Sequence, residues 1–149
     1  MKFCALVFAC LLLISACGQD TNDSDEKFSQ QALAFGEAYF NYDYEDAAKL
    51  VTPESEKWLS FAASNITQED IDLINSHDRA TVTVDDFTLN NDSTAMVTLI
   101  VKDFVQKDTL FRPASVTDEA EFQLEVVRRE GKYFIKMEGL PQSERQNRD

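Results

Sequence analysis

The sequence predicts an α+β fold in which N-terminal helices pack on one face of a curled four-stranded antiparallel sheet. Between Phe28 and Tyr42 apolar residues recur at steps of three and four, the helical period. From Ala80 onward the period drops to two, as strands require. Asn90-Asn91-Asp92 and Glu130-Gly131 then cut that second half into hairpins.

Phe28, Ala32, Phe35, Tyr39 and Tyr42 share one face of a first helix that should end near Asn41, its aromatic stripe facing the core. Tyr44 to Val51 forms a short second helix with Ala47, Ala48 and Val51 inward. At Thr52-Pro53 the chain restarts, because threonine caps a helix and proline suits its first position. A third helix carries Trp58, Leu59, Phe61 and Ala62. Thr67 and Asp70 have capping-box spacing and open a fourth helix through Ile71 and Ile74. Val82, Val84, Phe87 and Leu89 define the first strand. The returning strand sets Ala95, Val97, Leu99 and Val101 on one face against Thr94, Met96, Thr98 and Ile100 on the other. Phe104 to Asp118 is a long connection able to extend that strand, with Arg112-Pro113 marking its end. Phe122, Leu124 and Val126, then Tyr133, Ile135 and Met137, complete a second hairpin.

Arranged in this way, the chain resembles the NTF2-like, cystatin-like superfamily, and within it the small envelope lipoproteins of Bacteroidetes, including uncharacterised domains of the DUF4878 type. The resemblance rests on FGEAYFNYDYEDAAKLV, TPES, STAMVTLIV and LEVVRREGKYFIKME, and covers nearly all of Phe28 to Gly139. It implies an NTF2-like cone with a pocket that members leave empty, fill with ligand or use catalytically. None of the four strings is a catalytic motif.

The N-terminus carries an address. After Lys2, residues Phe3 to Ile14 form an apolar run of about 12 residues, short of the roughly 20 that span a bilayer. Ile14-Ser15-Ala16-Cys17 resembles the lipobox of bacterial lipoproteins, which implies lipid attachment at Cys17 and removal of residues 1–16 as a signal peptide. Gly18 stands where an aspartate would favour inner-membrane retention, so the resemblance points to the outer membrane. Polar and acidic residues follow, and 17–27 is expected to be a flexible tether that cannot bury enough surface to order itself. Its acidity loosely resembles the surface-export signal of Bacteroidetes lipoproteins. The domain then runs over 28–141, and 142–149 is expected as a disordered tail.

With 27 acidic against 14 basic residues, the chain carries a formal charge of −13. Such a surface repels phosphate backbones, which argues against nucleic acid as a partner. No calcium-loop pattern is present, and one histidine with no free cysteine left, Cys17 being blocked by the implied lipid, is a poor basis for a zinc or copper site. Neither a metal nor another cofactor is expected.

Candidate chemistry is sparse. Enzymes of this superfamily that resemble ketosteroid isomerases need a carboxylate base and a tyrosine or protonated acid in an apolar cavity. Tyr39, Tyr42, Asp43 and Tyr44 offer those types, but crowd one helix end with no second acid assigned to a strand. His77, beside Asp78, could act as a base, although no nucleophile pairs with it. Tyr39, Trp58 and Phe61 are candidate pocket-lining residues, with core packing the plainer account of Trp58 and Phe61. Asp108-Thr109-Leu110 and Asp92-Ser93-Thr94 resemble sites that Bacteroidetes O-glycosylate, at Thr109 and Ser93. Three functions follow as expectations: a noncatalytic module anchored through Cys17 and binding a small molecule, glycan or protein; an isomerase or dehydratase; or an acidic inhibitor or immunity protein.

Overall fold

A computed structural model describes residues 20–109 and 111–144, with side chains from Asp23 onward. Cys17, the signal segment and residues 145–149 lie outside the described residues. Four helices, α1 (Asp20–Tyr39), α2 (Tyr44–Ala48), α3 (Glu56–Ser64) and α4 (Gln68–Ser76), precede four strands, β1 (Thr81–Asn91), β2 (Thr94–Gln106), β3 (Ser115–Arg129) and β4 (Lys132–Lys136). The strands pair antiparallel in the order β1-β2-β3-β4, and the sheet does not close. This is the α+β architecture that the two periodicities predict.

Helix α1 lies along the inner face of the sheet and buries Phe28, Ala32 and Phe35 against Ala95, Val97, Leu99 and Val101, all 1% exposed or less. Close approach requires Gly36. A Cβ there would sit 2.6 Å from Leu99 Cδ1 and 3.0 Å from Val82 Cγ1, inside a packed core. The helix starts earlier than expected, so residues 20–27, read as part of a flexible tether, are helical. Side-chain pairs one turn apart support this start: Lys27 Nζ to Asp23 at 2.6 Å and Gln30 Nε2 to Glu26 at 2.7 Å. Acidic residues in its first turns also complement the helix dipole.

The helix ends two residues before Asn41. Asp43 N donates to Ala38 O at 2.9 Å and Tyr42 N to Tyr39 O at 3.1 Å, the two bonds of a Schellman cap. Tyr42 occupies the left-handed position (φ 64) that glycine usually takes. It therefore sits in a turn, off the helical stripe. Asn41 fastens this end of the helix to the sheet by accepting from Ala80 N at 2.8 Å.

Two irregularities reset the strand faces. A bulge at Asp85 adds a residue between the Val84–Leu99 and Asp86–Thr98 pairs. This is why the residues paired with the buried Val101, Leu99, Val97 and Ala95 run Val82, Val84 and then Phe87, Leu89, of which Val84 and Leu89 remain exposed. In β2, Asp103 adopts φ 50, and the ring of Phe104 turns inward although the odd-numbered residues before it did so. Strand β3 begins at Ser115, so most of the expected connection belongs to the β2–β3 hairpin. Glu130 (φ 52) and Gly131 (φ 76) make the two-residue turn into β4.

The segment TPES is a structural staple rather than a helix cap. Thr52 N donates to Ile135 O at 2.9 Å and Met137 N to Ser55 Oγ at 2.8 Å, which satisfies the outer edge of β4. Thr52 Oγ1 bonds Ser55 Oγ at 2.7 Å and caps no backbone group; Pro53–Ser55 is a single 3₁₀ turn. Helix α4 does carry the expected capping box, Thr67 with Asp70. At the other end, Ser143 bridges to Phe122 and is 5% exposed, so Gln142–Glu144 folds back along β3 instead of starting a disordered tail.

Candidate functional site

At one end of the space between helices and sheet lies a cavity of about 350 Å³. The end of α1 supplies Tyr39 and Phe40, and the following turn supplies Tyr42 and Tyr44. Phe61, Ala62, Asn65 and Ile66 come from α3 and the residues after it. From β2 and its extension come Phe104, Val105 and 106–109, with Phe122 from β3 and Leu140 to Gln142 closing the last side. The inner wall is a network of rings. Phe40 meets Phe122 at 4.4 Å and Phe104 at 5.6 Å between centroids, and Tyr39 meets Phe40 edge-on at 5.1 Å.

Three phenols enter the cavity wall together. Tyr44 stands 5.7 Å from both Tyr39 and Tyr42 between ring centroids. Tyr42 donates its hydroxyl to Val105 O at 2.8 Å, a bond that holds the strained turn against β2. Burial pushes the Tyr42 phenol up to about 12, helped by the charge of Asp70. It raises Tyr39 and Tyr44 still further, so all three stay protonated donors.

Behind the β2 wall is the most strongly perturbed acid among the described residues. Asp70 is 1% exposed and pairs with Lys107 Nζ at 2.6 Å. It also accepts from Ala114 N and Thr67 N, both at 2.8 Å. Burial opposes its ionisation, but the bonds from Lys107 and the two backbone groups outweigh it and hold the carboxyl well below the usual carboxylate range. Lys107 donates further to Arg112 O at 3.3 Å, so one buried carboxylate fixes both ends of the β2–β3 connection. Asp70 is absent from the cavity lining. It positions the wall that Gln106 to Thr109 form.

Of the expected pocket residues, Tyr39 and Phe61 line the cavity and Trp58 does not. Trp58 packs against the core, with Lys57 Nζ 5.2 Å from its ring centroid. Of the types expected for catalysis, Tyr39, Tyr42 and Tyr44 line the cavity with Asp108 at its rim, whereas Asp43 and His77 do not line it. Asp43 points to Arg79 at 2.8 Å on the surface, and His77 Nε2 lies 3.1 Å from Asp103 O. Thr109 is exposed at the cavity rim, and Ser93 is exposed in the β1–β2 turn. Among the described residues no group of three or more acidic, histidine or cysteine side chains could hold a metal ion. Sequence reasoning missed Asn65, Gln106 and Lys107 as lining residues; no local pattern marks them.

Helices followed by an open antiparallel sheet, with a ring-walled cavity between them, make up the fold of NTF2-like proteins. Solved structures bear this out. The chain is similar to an NTF2-like protein of unknown function from Shewanella oneidensis, with TM-score 0.51 and 14% identity over 83% of this chain and 98% of that one. It is also similar to a candidate aromatic ring hydroxylase from Novosphingobium aromaticivorans, with TM-score 0.52 and 13% identity over 89% and 99% of the two chains. At these identities the likeness is one of fold. No family model matches the sequence, and no curated protein is similar to it.

Proposed function

We propose that the protein is a noncatalytic envelope lipoprotein, anchored through Cys17, that binds a small molecule in the cavity of its NTF2-like domain. The cavity carries this reading. Its size and its aromatic wall, with polar side chains gathered at Gln106 to Thr109, match what small-molecule sites need. An enzyme would also need an acid or base beside the ligand. Asp70, Asp43 and His77 are engaged elsewhere, and Asp108 is exposed at the rim. The acidic surface opposes nucleic acid, and the lipobox resemblance supports the outer membrane as location.

Mass spectrometry of protein extracted from membranes of the native host tests this reading. The expected mass begins at Cys17 and includes acyl chains, and a small molecule is released on unfolding. Hexose-sized additions at Ser93 or Thr109 would appear in the same spectrum. An unacylated mass, or protein that releases nothing, contradicts the proposal.

A further inference from the structure

We infer that the free edge of β1 receives an added strand, an extended and cationic segment of another protein. The two edges of the sheet are finished differently. Along β4 the outer edge is covered: Ile135 N donates to Leu50 O at 2.8 Å, Thr52 N to Ile135 O at 2.9 Å and Met137 N to Ser55 Oγ at 2.8 Å. Beyond the end of β4, Glu144 N donates to Glu121 O at 3.2 Å. Nothing comparable protects β1. Among the described residues its backbone pairs with β2 alone, and no hydrogen bond reaches the backbone on the other side of Thr81–Asn91. All of its 11 residues except Val82 and Phe87 are exposed. An edge of this length with no proline, lysine or arginine is a template for pairing.

The side chains of β1 select what can pair there. Val84 and Leu89 stand opposite the buried Leu99 and Ala95, yet are 37% and 46% exposed because no neighbouring strand covers them. An added strand with apolar side chains on that face would bury both. Its centre must be cationic. The bulge places Asp85 and Asp86 side by side in the middle of the edge, both exposed and in no ion pair among the described residues. The same two carboxylates oppose a second copy of this chain. Antiparallel self-pairing about Asp86, the midpoint of the strand, would set Asp85 and Asp86 against their own copies, and each chain carries −13. Main-chain bonds would hold the added strand, and the cross-strand side chains would give it specificity.

The test compares peptides of one pattern, in which valine and threonine alternate about a central pair of residues. That pair is lysine in the first peptide and glutamate in the second; a third keeps the lysines and has proline for every threonine. Fluorescence anisotropy of the labelled peptides reads their binding to the full chain, and amide hydrogen exchange reads β1. We expect the lysine peptide to bind about tenfold tighter than the glutamate peptide, and the proline peptide, which lacks donors for the edge, not to bind. Saturation with the lysine peptide should slow exchange at the β1 amides that β2 leaves unpaired by about tenfold or more. In Asp85→Lys/Asp86→Lys, whose changes lie at exposed positions, the preference should reverse toward the glutamate peptide. Equal affinity for the two charges, binding of the proline peptide, or an unchanged preference in the variant overturns the inference. So does a lysine peptide that fails to bind or leaves β1 unprotected, or a dimeric wild-type chain whose β1 amides are already slow.

Discussion

Replacing Asp70 with alanine should cost about 3–5 kcal/mol of stability, the range for breaking a buried ion pair from one side. Against a total of about 5–15 kcal/mol for a domain of this kind, that is enough to populate the unfolded state at growth temperature. The variant strands the Lys107 ammonium, which is 12% exposed, and leaves the amides of Thr67 and Ala114 without their acceptor. Removing both charges in Asp70→Ala/Lys107→Met should cost less than the single change, since no buried charge is then left unpaired. Denaturant titration of the three proteins measures this. The pH dependence has a definite sign. Because the folded carboxyl is held below its unfolded range, its contribution is fully present above about pH 4 and falls away as the pH drops toward its folded value. A single variant that unfolds at the wild-type denaturant midpoint would remove Asp70 from its role as keystone of the cavity wall.

Cys17→Ala should abolish lipid attachment and change where the protein is found. Each buried methylene contributes about 0.8 kcal/mol to membrane binding, so two or three acyl chains make an anchor that high salt does not release. Without the thiol, the chain should appear either as an unprocessed precursor of higher mass or in the soluble fraction. Fractionation and mass identical to wild type would contradict the lipoprotein reading. The acidic start of α1 adds a detail to that reading. Helix begins at Asp20, three residues after Cys17, so little slack separates the proposed anchor from the folded domain.

Where sequence and structure agree, the signal is periodic and local. Phe28, Ala32 and Phe35 at helical spacing, and Ala95 to Val101 at strand spacing, fall on the buried faces they predict because a side chain's direction follows from its position along a regular backbone. The Thr67–Asp70 capping box was legible for the same reason, as it spans one turn. What local pattern could not reveal is Asp70's second role. Its partners Lys107 and Ala114 lie 37 and 44 residues away, and nothing in α4 announces them.

The departures have local causes of another kind. The bulge at Asp85 and the left-handed Asp103 each shift the face on which later residues fall, and neither position carries the glycine that would flag it. Tyr42 is the sharpest case. Continued helical spacing assigns it to the stripe, yet it caps the helix in a left-handed conformation held by its bond to Val105. That turn sets Tyr42 and Tyr44 beside Tyr39 in the cavity wall. The polar start of α1 was missed because its stabilising pairs link charged and amide side chains, which composition alone reads as solvated coil.

The proposed function requires that the cavity receive a small molecule against its ring-lined wall. Saturation-transfer NMR with naphthalene, which has rings but no polar atom, measures this without reference to the phenols. The wild-type protein should transfer saturation to naphthalene protons, and Ala62→Trp, which places an indole in the cavity from α3, should abolish the transfer while keeping the wild-type circular dichroism spectrum. Absence of transfer in the wild type, or equal transfer in a folded Ala62→Trp variant, would contradict the account.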